Sequence, residues 1–453
     1  MAPIPDLRAN RALPKRPSHM RLPSNLPSPK LNLGLKFGRS GADVVGLDIQ
    51  PGFVAAVRAS VNGSIIAERA ASVPLAADTM RDGEVVDEAA LAEALKELFG
   101  AHNLGKRVRV GVANQRTVLR TLELPPVTDE KELAAAVSFQ AQDQVPMPLG
   151  NAVLDFHALG IVDTPAGPRQ RVVLVAAQRD MVERLLSAVR QAGLVAEGVD
   201  LSAFALIRSL YHHEPDQTGR VLYLNVDGLS NLAIAEGTVC RFTRVVGSGL
   251  EGMAVELAER RGITLAEART RLSEGDLSAP AAPAPAEMPG PVAEPEPEPE
   301  VQAPPASAEI PEPEPVDLSA EAQALPPAED HQARELEMSF EELSAIPDVP
   351  DAAPEASDAD VLTVLENGVR EISGEVRNSL DFHRSQDGGG EVAHVVLSGA
   401  AQDIPGFAEA LQLSLGVEVR PANLSVAHGA AEGDVSPHRL AVATGLAAVE
   451  APQ

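Results

Sequence analysis

The stretch VVGLDIQPGFVAAVRAS, residues 44–60, carries the first signal of the fold of this chain. It begins as an apolar strand, is interrupted by the polar and turn-forming residues of DIQPG, and resumes as a second strand. A tight turn after a first strand exposes backbone N–H groups that can cradle phosphate oxygens, and an aspartate beside them can hold the hydration shell of Mg²⁺. A single turn of this kind is more often ordinary turn chemistry. A binding role for Asp48 therefore needs a second copy of the pattern.

The pattern does occur a second time. Residues 43–99 are predicted to form a strand, the DIQPG loop, a hairpin closed by Asn62-Gly63, and a helix. Residues 220–261 predict the same order: the strand RVLYLNV, the loop DGLS, a hairpin closed by Glu236-Gly237, and a helix preceded by two glycines. Two such copies predict two similar lobes that face each other across a cleft. The DIQPG and NVDGLS loops would then form opposite walls of one site.

The net charge of −28 is concentrated in one segment. Residues 276–360 contain 22 acidic residues, 18 prolines and a single basic residue, Arg334. Residues 1–42 have the opposite character, with eight lysines and arginines against Asp6. Neither composition can bury a core. We therefore expect a basic disordered tail at 1–42 and an acidic, proline-rich disordered insertion at 276–360.

Cysteine content and hydropathy exclude several classes of protein. Cys240 is the only cysteine, which excludes an internal disulfide and a cysteine-based metal cluster and suits a reducing cytoplasm. No apolar run approaches the ~18 residues of a membrane-spanning helix. The basic N-terminal residues lack interleaved aromatic side chains, so no nucleic-acid partner is expected.

The duplication with two phosphate loops resembles the actin-like ATPase superfamily, which includes actin, sugar kinases, heat-shock chaperones and the division protein FtsA. Within it, residues 109–160 are similar to the accessory subdomain of the type IV pilus assembly family PilM. A strand leads into a Leu-Pro turn at 120–125, a helix follows at 128–144, and a P-x-P break precedes the strand VLDFHALG at 153–160.

The resemblance implies an α/β, two-lobed actin-like (ribonuclease H-like) fold with the following boundaries. The first lobe spans 43–218 and contains the accessory subdomain at about 106–198. The second lobe spans 219–450, contains the 276–360 insertion, and ends in a closing helix at about 438–449 that returns to the first lobe.

The resemblance also implies a site for ATP and Mg²⁺, with Asp48 holding the metal through water. Several family positions are substituted: Gln50 stands where a glycine is usual, Asn225 where an aspartate is usual and Asp227 where a glycine is usual. These changes predict a degenerate nucleotide site, weak or absent ATP hydrolysis and no catalytic residue. The cofactor-binding candidates are Asp48, Gln50, Gly52, Asn225, Asp227, Gly228, Gly247, Gly249, Gly399 and Ala400.

The function implied by the resemblance is that of a cytoplasmic scaffold for type IV pilus assembly. It would dock the inner-membrane alignment complex by binding the cytoplasmic N-terminal peptide of a PilN-like membrane protein, so its membrane association would be peripheral and indirect. Pilus motor or platform proteins and further copies of the chain are additional expected partners. Two alternatives stay open: an active ATPase of the same fold that uses Asp48, and an FtsA-like division adaptor. The second is disfavoured because the sequence ends in GLAAVEAPQ, without a basic amphipathic face.

Overall fold

The computed structural model describes residues 44–61, 64–212, 219–278, 358–386, 389–430 and 435–448. The predicted 1–42 tail, the Asn62-Gly63 turn and nearly all of the 276–360 insertion lie outside these residues. The strands are β1 (Val45–Gln50), β2 (Phe53–Val61), β3 (Ile65–Pro74), β4 (Met80–Arg81), β5 (Glu84–Val85), β6 (Arg107–Val112), β7 (Val118–Leu124), β8 (Ala152–Thr164), β9 (Gly167–Gln178), β10 (Val195–Leu201), β11 (Arg220–Val226), β12 (Ser230–Glu236), β13 (Val239–Val246), β14 (Val392–Ser398) and β15 (Val419–Pro421). The helices are α1 (Glu88–Ala101), α2 (Glu130–Gln144), α3 (Arg179–Gln191), α4 (Ser202–Leu210), α5 (Leu250–Arg261), α6 (Leu265–Ser273), α7 (Asp358–Ser385), α8 (Phe407–Leu415) and α9 (Ala441–Ala447).

Two five-stranded sheets with the same topology form the two lobes. The first has the order β10-β6-β1-β2-β3, and the second has the order β15-β14-β11-β12-β13. In each, the first strand pairs antiparallel with the next strand in the chain and parallel with a strand that follows a helix. The predicted duplication and the two-lobed α/β fold are therefore confirmed.

Both cores are aliphatic, as the near absence of aromatic residues requires. Every residue of β1 is buried, which is typical of a central strand covered on both faces. The long helix α7 buries the apolar stripe that its sequence periodicity predicts, and burial of each such side chain contributes about 1.5–3 kcal/mol. The stripe consists of Val361, Leu365, Val369, Ile372, Val376 and Leu380.

A smaller three-stranded sheet, of order β7-β9-β8, forms the accessory subdomain with α2. Asp129 is the N-cap of α2, and its side chain accepts hydrogen bonds from the backbone N–H groups of Lys131 and Glu132. The strands β6 and β10 fall inside the predicted 106–198 range but belong to the first-lobe sheet. We therefore propose the narrower range 118–178 for the subdomain.

The helix α9 lies against β1, β2, β6 and α4 of the first lobe. Glycines permit this close approach. A Cβ atom at Gly46 would overlap the carbonyl oxygen of Ala443, and one at Gly445 would overlap that of Ala205. The last carbonyls of α9 accept hydrogen bonds from Arg109 and Arg208. The described residues of α9 thus pack on the first lobe, after the chain has left the second-lobe sheet.

Across the described ranges, no helix combines the length and the hydropathy required to span a bilayer.

Candidate functional site

The two predicted loops meet in direct contact between the lobes. The first is the Pro51-Gly52 turn after β1, and the second is the 227–229 loop after β11. A Cβ atom at Gly228 would overlap the carbonyl oxygen of Pro51, so only glycine permits the two backbones to lie this close. The Leu229 N–H also donates to Gln50 Oε1 over 3.5 Å.

Asp48 lies in β1, before the Pro51-Gly52 turn, and is buried, with 1% of its surface exposed. The sequence predicts a loop from Asp48 onward, but the strand continues to Gln50. The Asp48 Oδ2 atom accepts a hydrogen bond of 3.1 Å from Gln50 Nε2. Burial raises the pKa of the Asp48 carboxyl to about 7, and the charge of Asp227 adds to this rise. The Gln50 hydrogen bond and the positive charge of Arg439 lower the pKa, but by less. Asp48 is therefore about half protonated near pH 7.

Asp227 is the acidic residue of the second loop, and its side chain is fully buried. Three groups donate to its carboxylate: the backbone N–H of Ala400 at 2.9 Å, Asn225 Nδ2 at 3.1 Å and Arg439 Nε at 3.2 Å. Burial raises the pKa of Asp227, whereas Arg439 and the two other donors lower it. Its carboxylate is thus surrounded by donors that all belong to the protein.

The glycines predicted for this site divide into two groups. A Cβ atom at Gly249, the residue before α5, would overlap Gly228 O, and one at Gly399 would overlap Val226 O. Gly52 has a φ of +92° and faces the carboxylate of Glu251. Gly247, by contrast, has only Gln115 of the first lobe within 4 Å of its Cβ position, so it lies outside the contact between the loops.

Sequence reasoning missed four residues of the site: Phe53, Glu251, Arg269 and Arg439. The Arg439 guanidinium carbon lies 4.4 Å from the ring centroid of Phe53, while its Nε bonds Asp227. Glu251 in the first turn of α5 forms an ion pair with Arg269, which also donates to Leu75 O of the first lobe at 3.1 Å. None of the four carries a motif. The one available signal was Glu251 in the first turn of α5, because a carboxylate at that position repels an anion that would bind at the helix N-terminus.

Mg²⁺-ATP is the ligand that the fold implies, and we tested its fit against these contacts. The N–H groups of Gly399, Ala400 and Leu250 donate to His438 O, Asp227 Oδ1 and Asp227 O, respectively. The carboxyl groups of Asp48, Asp227 and Glu251 line the contact. Its two guanidinium groups are both paired, Arg269 with Glu251 and Arg439 with Asp227. A triphosphate needs unpaired donors and positive charge. In this arrangement the residues do not fit Mg²⁺-ATP.

Among the residues with described positions, no group of three or more His, Cys, Asp or Glu side chains is arranged to hold a metal ion. Asp48 accepts a hydrogen bond from Gln50, and its contact with Mg²⁺ through water stays a prediction.

Comparison with known proteins agrees with the fold. The family model described as type IV pilus assembly protein PilM matches residues 46–279, about half of the chain. A solved PilM-PilN type IV pilus biogenesis complex contains a chain with 22% sequence identity and a TM-score of 0.61, covering 89% of this chain and 97% of that one. The ethanolamine utilization protein EutJ from Carboxydothermus hydrogenoformans has 14% identity and a TM-score of 0.42, covering 89% of this chain and 88% of that one. The MamK double helical filament has 10% identity and a TM-score of 0.44, covering 89% and 97%.

Proposed function

Because this chain belongs to the type IV pilus assembly protein PilM family, we propose that it is a scaffold of the type IV pilus machine. It works at the cytoplasmic face of the inner membrane and docks the alignment complex by binding the cytoplasmic N-terminal peptide of a PilN-like protein. The solved PilM-PilN complex supports a partner of this kind. Motor or platform proteins and further copies of the chain are additional proposed partners.

One observation carries the proposal of a scaffold rather than an enzyme. The polar groups at the contact between the lobes are bonded to one another: Gln50 to Asp48, and Asn225 and Arg439 to Asp227. A catalytic site needs a group that can exchange protons or charge with a substrate, in a position that the substrate can reach. Here the candidate groups are buried against protein, which favours a rigid body that presents binding surfaces.

The accessory subdomain is the proposed docking region. Its sheet β7-β9-β8 and helix α2 have their own apolar core, and β7 follows closely on β6 of the first lobe. A groove between this subdomain and the first lobe would receive the peptide in an extended form, since an extended peptide can bond to the edge of a sheet.

A titration of the full chain with a fluorescent peptide that copies the cytoplasmic N-terminus of the PilN-like protein tests the proposal. We expect saturable binding in about the micromolar range, no binding of a scrambled peptide, and slower hydrogen exchange in 118–178 when the peptide is present. Added Mg²⁺-ATP should leave the affinity unchanged. Equal weak signals from the native and scrambled peptides would contradict the proposal.

A further inference from the structure

The chain after β15 forms three separate links to the first lobe. The first is a backbone link at the edge of the first-lobe sheet: Ala67 N–H donates to Ser425 O at 3.0 Å, Ala427 N–H to Ala67 O at 2.9 Å, and Ala70 N–H to Ala430 O at 2.7 Å. The second is the packing of α9 against β1. The third is Arg439, which lies between these two. The described residues between 425 and 448 therefore contact the first lobe at three places along the chain.

Arg439 connects the lobes through a single side chain. It bonds the carboxylate of Asp227 in the second lobe and stacks on Phe53 of β2 in the first lobe. Asp227 is fully buried, whereas about a third of the Arg439 side chain is exposed. Removing the arginine would leave the buried Asp227 carboxylate without its cationic partner, which lowers the stability of the closed contact.

The surroundings of Asp227 have the chemistry of an anion site. A loop N–H, a side-chain amide and a guanidinium converge on its carboxylate. Donors of these types bind phosphate oxygens in other proteins. In this protein, a carboxylate of the chain itself takes them. A phosphate could reach them only after Asp227 had moved.

We propose that Asp227 and Arg439 form an internal lock that fills the anion site between the lobes and holds the lobes together without nucleotide. Asp227 takes the place of a bound phosphate, and Arg439 takes the place of the cation that would accompany it. The closed arrangement is then a permanent property of the folded chain, and nucleotide does not gate it. This inference concerns the contact between the lobes and is independent of the pilus partner.

Hydrogen exchange measured by mass spectrometry on the full chain tests the lock. Arg439→Gln should speed exchange in both loops, 48–52 and 225–230, by about tenfold or more, because a buried charge loses its partner. Arg439→Lys, which keeps the charge, should give a smaller increase. The matched control is Arg420→Gln, since Arg420 bonds the exposed Glu418 on the surface of the second lobe. Wild-type exchange in both loops should be unchanged by millimolar Mg²⁺-ATP.

Exchange in α2 reports whether each variant folds, because α2 packs in the separate apolar core of the accessory subdomain. If Arg439→Gln unfolds the chain, the comparison of Arg439→Lys with Arg420→Gln decides the outcome. Loops that exchange in the Arg439 variants as they do in the wild type would overturn the proposal. Protection of the wild-type loops by Mg²⁺-ATP would overturn it as well. Neither result depends on whether the PilN-like peptide binds.

Discussion

Replacing Asp48 by asparagine should make the protein more stable, and increasingly so as the pH rises. Asp48 is buried, and its pKa is raised from 3.8 in the unfolded chain to about 7 in the folded protein. Between these pH values the folded state keeps a proton that the unfolded state has lost. The free energy of unfolding therefore falls as pH rises from about 4 to about 7, and the Asp48 contribution is flat above that range.

The two pKa values set the size of the effect. At about 1.36 kcal/mol per pH unit, the difference between 3.8 and about 7 corresponds to about 4 kcal/mol. Asparagine is neutral at every pH and has nearly the shape of the protonated acid, so its side-chain oxygen can still accept from Gln50 Nε2. We expect the Asp48→Asn variant to exceed the wild type by about 4 kcal/mol near pH 8, and this advantage to fall to less than half near pH 5.

Urea unfolding followed by circular dichroism, at several pH values between about 5 and 8, measures this difference directly. Other carboxylates titrate in both proteins, so the informative quantity is the difference between variant and wild type at each pH. Asp163→Asn, an exposed position on β8, is the control for loss of one negative charge. A difference for Asp48→Asn that does not change with pH, or a variant less stable than the wild type near pH 8, would refute the reasoning.

Two further predictions concern packing and reactivity. Gly46→Ala places a methyl group against the Ala443 carbonyl, so it should lower the free energy of unfolding by about 1–3 kcal/mol or more in urea titrations. Gly374→Ala in α7, whose added methyl group meets nothing within 4 Å, should instead raise the free energy of unfolding by about 0.5–1 kcal/mol. Equal effects of the two substitutions would contradict this account. Cys240 is buried and its pKa is raised to about 12, so iodoacetamide should label it far more slowly in the folded protein than in urea near pH 8, and comparable labelling rates in both states would show that the thiol is accessible.

Much of the fold could be predicted from local patterns because burial of an apolar face is a local property of a helix or strand. The stripe of α7 and the paired hairpins of the two lobes are examples, and the structure confirms both. The boundaries of the accessory subdomain were harder to predict. The strands β6 and β10 are close to it in sequence but pair with the first-lobe sheet, and the partner of a strand is not encoded in its own residues.

The candidate site was only partly predictable. Asp48 lies near the end of β1 and Asp227 directly follows β11, the first strands of the two repeats, so the repeat itself indicated both residues. Arg439 is separated from Asp227 by 212 residues and belongs to no repeat. Its position depends on the path by which the chain returns to the first lobe.

Strand periodicity and turn chemistry act over a few residues, so the order of amino acids was enough to indicate two related lobes, each with a polar, turn-forming loop after its first strand. The contact between these loops, with Gly228 against Pro51 and the donors of the anion site bonded to Asp227, emerged only in the folded chain. The separation of two backbones is fixed by the packing of both sheets and of α9 on the first lobe. That packing sums many contacts between residues distant in the chain, and no single stretch of sequence specifies it.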